Sequence, residues 1–193
     1  MMLKERNKKA LKEWAVVVKA MDLGHQIMLV RSGGIMDEEG IFSLESDEFF
    51  LFPTFAHQRR NLLKPQYQSA LDELSYSGPP PNQILISNYA KVEEAVEIAD
   101  PAGLVQLSDE YVWTPSFVTE RVNMSRDGRA HVLLLRVFRL GLPKTIEVRP
   151  EYGGCRSWVD LAEEIPTSGC RPVLSDMEFY HRAGRIKDIL KRG

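Results

Sequence analysis

The run Ala130 to Leu140, AHVLLLRVFRL, constrains the fold more than any other stretch of this chain. Val132, Leu133, Leu134 and Leu135 follow one another without a polar break, the signature of a strand buried on both faces, so this strand is expected to be central to a sheet. Asp127-Gly128 supplies a turn before it. Gly141-Leu142-Pro143 predicts a tight turn after it, with Lys144 to Val148 returning as the second arm of a hairpin.

Elements predicted around that strand alternate between the two regular structures. Leu3, Ala10, Leu11, Trp14, Ala15, Val18 and Met21 fall near one helical stripe, although Val16-Val17-Val18 also favours a strand. Gly24 stops that element, and Gln26 to Arg31 reads as a short buried strand ending at Ser32-Gly33-Gly34. A weak strand is expected around Ile41–Leu44 in an acidic loop, and Phe49 to Phe52 reads as a strand cut off by Pro53. Thr54 is placed to cap a helix from Phe55 that Pro65 limits. A helix over 66–75 precedes Ser77-Gly78-Pro79-Pro80-Pro81, so a single domain, 1–193, is expected with a subdomain seam at 77–83. Ile84 to Ile98 is one long strand or a strand followed by a helix. Pro101 to Leu107 is a short helix, Thr114-Pro115 starts another, and Trp158 to Leu161 is a strand. Ser175-Asp176-Met177-Glu178 is a capping box opening a C-terminal helix. The expected class is α+β, a small mixed or barrel-like sheet with flanking helices.

The chain has 193 residues and a formal charge of −2. That balance excludes a globally basic nucleic-acid coat but not a local basic groove. By segment the charge is +4 over 1–36, −10 over 37–110 and +4 over 111–193. Two cysteines, Cys155 and Cys170, are too few for a disulfide framework and lack paired zinc spacing. With no apolar run long enough to span a bilayer and no signal core, the expected location is cytoplasmic and no membrane partner is expected.

No strong catalytic motif is present. GxxxxGK[ST], GxSxG, HExxH and GxGxxG are all missing. No glutamate is followed two places later by lysine, as a metal-dependent nuclease strand requires; Glu147-Val148-Arg149 is the nearest variant. His57 is a candidate general acid/base and Glu147 and Glu151 candidate carboxylates, with no metal site and no cofactor assigned.

For binding, Arg31, Gly33 and Gly34 at a strand end would face Thr54, His57 and Gln58 across a pocket. Arg136, Arg139, Arg149 and Arg156 would supply phosphate contacts and Trp158 a stacking surface. Solvated surface arginines and core tryptophans are the alternative use of the same residues.

The strings LKEWAVVVKAMDLGHQIMLVRSGGI, FFLFPTFAHQ, YVWTPSFVTERV, LLLRVFRL and RPEYGGCRSWVDL, read together, resemble a microbial domain-of-unknown-function family, number eighteen hundred and two, from about Leu11 to Leu190. The resemblance implies an association with restriction-modification genes and transfers no catalytic residue. Gly24 followed by a strand closing on Arg31 is also similar to the opening of PUA-like barrels, the ASCH and EVE groups among them, where that edge lines a nucleic-acid cleft. The expected function is a nucleic-acid-binding module with DNA or RNA as partner. A metal-dependent enzyme acting on nucleic acid or a nucleotide is a second reading, and a subunit that docks another protein a third.

Overall fold

A computed structural model describes residues 2–31, 44–56, 58–80, 82–125, 129–154 and 156–192. In order, the chain forms β1 (Arg6–Trp14), α1 (Ala15–Asp22), β2 (Met28–Arg31), β3 (Glu48–Thr54), α2 (Pro65–Ser77), β4 (Gln83–Ile98), α3 (Ala102–Gln106) and α4 (Pro115–Asn123). Then follow β5 (Ala130–Glu147), β6 (Trp158–Pro166), β7 (Arg171–Pro172) and α5 (Asp176–Leu190). The class is α+β, as expected. The strands make one mixed sheet in the order β2-β5-β4-β3-β1-β6, with β7 on β5. Only the β1–β3 pair is parallel among the described residues.

The apolar run of β5 is paired on both edges, by β4 along its length and by β2 beside His131–Leu134. It lies one place in from the end of the sheet rather than at its middle. The expected hairpin does not form. The chain passes straight through Gly141-Leu142-Pro143, and Lys144–Glu147 continues the ladder opposite Gln83–Ile86. Between the pairs Ile86↔Lys144 and Asn88↔Arg139, Ser87 alone faces Leu140 to Pro143. Pro143, which has no N–H to donate, therefore sits in a bulge where no ladder partner is required. Gly141 is needed for a different reason: a Cβ there would stand 3.0 Å from the carbonyl oxygen of Gly169 in the approach to β7.

The N-terminal helical stripe is a strand in its first half. Ala10 and Leu11 are held between β3 and β6, opposite Phe50 and Leu51 on one side and Val159 and Trp158 on the other. Pairing on both edges outweighs the coincidental helical spacing. The three valines are helical in α1, where six of eight residues are buried; packing of that face overrides β-branched propensity.

Two further expectations are corrected near Pro53. β3 runs through it to Thr54, because β4 pairs only with Glu48–Phe50 and leaves the Pro53 edge unclaimed on that side. Thr54 caps no helix; its hydroxyl donates to the Glu13 carbonyl at 3.1 Å. Between β3 and α2 the described residues hold a single 3-10 turn, Arg60–Leu62. The strand expected around Ile41–Leu44 and the turn at Asp127-Gly128 lie outside the described residues, Leu44 excepted. Ile84 to Ile98 is one strand, and β4 lies between β3 and β5 in the sheet.

Because successive strand residues face opposite ways, the sheet has a core on each side. Leu11, Phe49, Leu51, Leu133 and Leu135 belong to the larger core, which also takes in residues of α1, α4 and α5. Ala10, Phe50, Phe52, Phe138, Tyr152 and Val159 belong to a second core. Ser175 and Glu178 form the expected capping box of α5. Arg182 and Arg185 tie that helix to the buried Glu110 carboxylate. No helix among the described residues is long and apolar enough to cross a membrane.

Candidate functional site

A cleft of about 920 Å³ opens where β1 meets the connection from β5 into β6. Its buried side is built from the ends of three strands, Glu13 and Trp14 on β1, Arg31 at the end of β2, and Phe52 and Thr54 on β3. Its outer wall is formed by 148–150, 152–154, Arg156 and Ser157. That wall is pinned by backbone: Lys12 N–H donates to the Ser157 carbonyl at 2.8 Å and Val148 N–H to the Asn82 carbonyl at 2.8 Å. Lys12 Nζ also donates to the carbonyls of Gly153 and Gly154. Gly154 has φ +72°, a backbone conformation that favours glycine. Tyr152 closes the segment against the core, its ring edge-on to Phe52 and its hydroxyl accepting from Ala162 N–H.

Five cationic side chains line the cleft, Lys12, Arg31, Arg121, Arg149 and Arg156, against one carboxylate, Glu13. Arg31 and Glu13 are only 7% and 6% exposed. Arg31 Nη2 donates to Glu13 Oε2 at 2.9 Å and to the Lys12 carbonyl at 3.1 Å. The other carboxylate oxygen accepts the Trp14 amide at 2.8 Å. Arg31 Nε is buried with no hydrogen-bond partner among the described residues. Arg121, on α4, stands over the Phe117 ring, which also stacks on Trp14 at 5.6 Å between centroids. Burial pushes the Arg121 pKa down, Glu13 acts to raise it and Arg31 to lower it. On the outer wall Arg149 and Arg156 are exposed and have no side-chain partner among the described residues.

The cleft thus brings together Arg31, Thr54, Arg149 and Arg156, and adds Lys12, Trp14 and Arg121, which sequence reasoning did not place in a site. Gly33, Gly34 and His57 lie outside the described residues. Gln58 accepts the Val16 amide at 3.2 Å, satisfying the first turn of α1, which has no side-chain cap of its own. Trp158 is in the core, edge-on to Phe49. Glu147 and Glu151 are exposed, at the end of β5 and on the 3-10 turn Pro150–Tyr152. No three His, Cys, Asp or Glu side chains come together among the described residues.

Arg136 and Arg139 are elsewhere. Arg136 is 2% exposed and donates to Asp176 at 2.6 Å under the first turn of α5. Arg139 donates to Asp22 at 2.7 Å, beside Asn88 at 3.0 Å. Burial acts to raise the Asp22 pKa, but the hydrogen bonds from Asn88 and Arg139 and the charge of Arg139 outweigh it and hold the carboxyl below its usual range. A depressed folded-state pKa gives stability that is complete above the unfolded value of 3.8 and lost as pH falls through the folded value. Arg139→Met is therefore expected to cost about 0.5 kcal/mol near pH 6, since the pair is half in solvent. The gap should close on acidification below pH 3.8. Urea midpoints of both proteins at a series of pH values check this, and a gap constant down to pH 2 contradicts it.

Fold and cleft define an α+β protein whose cationic, aromatic-walled groove lies at one end of a mixed sheet. Residues 10–185 match the model of the family described as Domain of unknown function (DUF1802), and the chain belongs to that family. Among solved structures it is similar to ASCH from Zymomonas mobilis, at 14% identity over 80% of this chain and 87% of that one, with a TM-score of 0.47. It is similar also to a serine-to-alanine mutant of the same Zymomonas mobilis protein, at 14% identity over 83% and 92% of the two chains, TM-score 0.47. No curated protein matches it by sequence.

Proposed function

We propose that the cleft binds single-stranded nucleic acid. The observation that carries this reading is the lining itself, five cations against one carboxylate with the half-buried Trp14 ring among them. Cations positioned along a groove neutralise successive phosphates, and an indole between them offers a stacking face to a base of any sequence. Exposed Arg149 and Arg156 suit the backbone-tracking part of that task, because a guanidinium fork takes two phosphate oxygens at once.

The test is a salt titration of binding to short single-stranded DNA and RNA. In Arg149→Gln/Arg156→Gln, two phosphate contacts are removed from exposed positions, so the fold stays intact by circular dichroism. The log–log salt slope should fall by about 1.4, and affinity should drop alike for all sequences. Arg139→Gln, outside the cleft, should bind as the wild type does. Wild-type affinity and slope in the double variant, or no binding by the wild type at low salt, overturns the proposal.

A further inference from the structure

The outer wall and the buried side of the cleft differ in kind, and the difference points to a particular form of ligand. Arg149 and Arg156 are exposed, and their charge is dispersed by water. Glu13 and Arg31 are withdrawn from water, and Arg121 lines the same cleft, its guanidinium over the Phe117 ring that stacks on Trp14. Two guanidinium groups and a single carboxylate line the cleft there. One positive charge remains without a partner in a place where an unpaired charge is costly.

The hydrogen-bond count points the same way. Glu13 is occupied by Arg31 Nη2 and the Trp14 amide. Arg31 Nε still holds a buried, unused N–H. A buried donor without an acceptor is the most expensive kind of polar group to leave unmade. What the floor lacks is therefore an anion with several free oxygens.

Resting on the reading of the cleft as a nucleic-acid site, we propose that the Glu13–Arg31–Arg121 floor holds a phosphate monoester, so that a strand enters the cleft by a phosphorylated end. An internal diester has one charge and two free oxygens, and the chain must continue on both sides of it. A monoester has three free oxygens and close to two charges at neutral pH, and nothing continues beyond it. It can answer the excess charge with oxygens enough for both guanidinium groups, while the next diesters along the strand meet Arg149 and Arg156. The selection is for an end rather than for a sequence, since neither guanidinium is required to meet a base edge.

The experiment compares three forms of one short single-stranded oligonucleotide with the full chain: a 5′-phosphate, a 3′-phosphate, and hydroxyl groups at both ends. One phosphorylated form should bind about tenfold to a hundredfold tighter than the hydroxyl form, the range expected for added charge-assisted hydrogen bonds. Arg121→Gln, which removes the surplus cation without depriving Glu13 of Arg31, should abolish that preference, so that the three forms bind it with one affinity and one salt slope. Equal, salt-sensitive binding of all three forms by the wild type overturns the floor assignment and leaves the nucleic-acid reading standing. So does a preference that survives undiminished in Arg121→Gln. Failure of all three forms to bind overturns both. The comparison of ends in the wild type decides the matter even if the variant does not fold.

Discussion

Alanine at Glu13 is expected to lower the unfolding free energy by about 3–5 kcal/mol, seen as a lower urea midpoint with an unchanged slope. The size follows from what is left behind. Arg31 is 7% exposed and its ion pair with Glu13 is the only one it makes among the described residues. Without the carboxylate, its charge stays buried beside a second guanidinium, Arg121, and the Trp14 amide loses its acceptor. Glu13→Gln/Arg31→Met removes both charges together and should recover more than half of that loss, because an absent pair costs far less than a broken one. A loss below about 1 kcal/mol in Glu13→Ala would mean that Arg31 regains water through the cleft, and the floor described above would then be wet.

The second large effect is expected in the apolar part of the sheet. Phe49 is fully buried in β3, with its ring 5.0 Å from that of Trp158 in an edge-on arrangement. It therefore joins the third strand of the chain to the sixth across β1. Phe49→Ala removes that contact and leaves a cavity walled by β-sheet on one side and helices on the other, so collapse around it is limited. The expected cost is about 3–5 kcal/mol, which for a chain of this length is a melting temperature lower by roughly 6–20 °C. Phe49→Leu should cost less than half as much, because much of the volume is restored. A melting temperature within about 2 °C of the wild type in Phe49→Ala would contradict the described packing of β6 against β3.

How far the fold was readable differs by element, and the differences have physical causes. β5, α4 and α5 carry their signals locally: a continuous apolar run, Thr114-Pro115 at a helix start, and the Ser175/Glu178 box. β1 does not. Its apolar residues happen to satisfy a helical spacing, and what makes them a strand is pairing with residues some forty and some hundred and fifty positions away. Gly141-Leu142-Pro143 is similarly ambiguous, since glycine and proline mark a bulge as readily as a turn.

The site shows the same division. Arg31, Arg149 and Arg156 were recognisable as arginines at the ends of strands or in the connection beside them, which is where the cleft proved to be. Arg136 and Arg139 had the same appearance, but α5 seals the first and Asp22 engages the second. No local signal distinguishes those fates, because they depend on which helix returns over which face. Lys12 and Trp14 were concealed by the misread strand that carries them, and Arg121 by the distance in sequence between α4 and its neighbours Glu13 and Arg31.

The position of β1 has a consequence for how the molecule comes into being. Its two neighbours in the sheet are made long after it, and the later of them begins at Trp158. At about 5–20 residues per second, the emerging first strand waits roughly 7–30 s on the ribosome with one edge unclaimed. Lys8, Lys9 and Lys12 punctuate that edge, and lysines there repel the neighbouring nascent chains that would otherwise add to it. The groove itself cannot exist in any growing chain that has not yet passed Ser157, whose carbonyl receives the Lys12 amide. Whatever the cleft holds can be held only by a chain that reaches Ser157 or beyond.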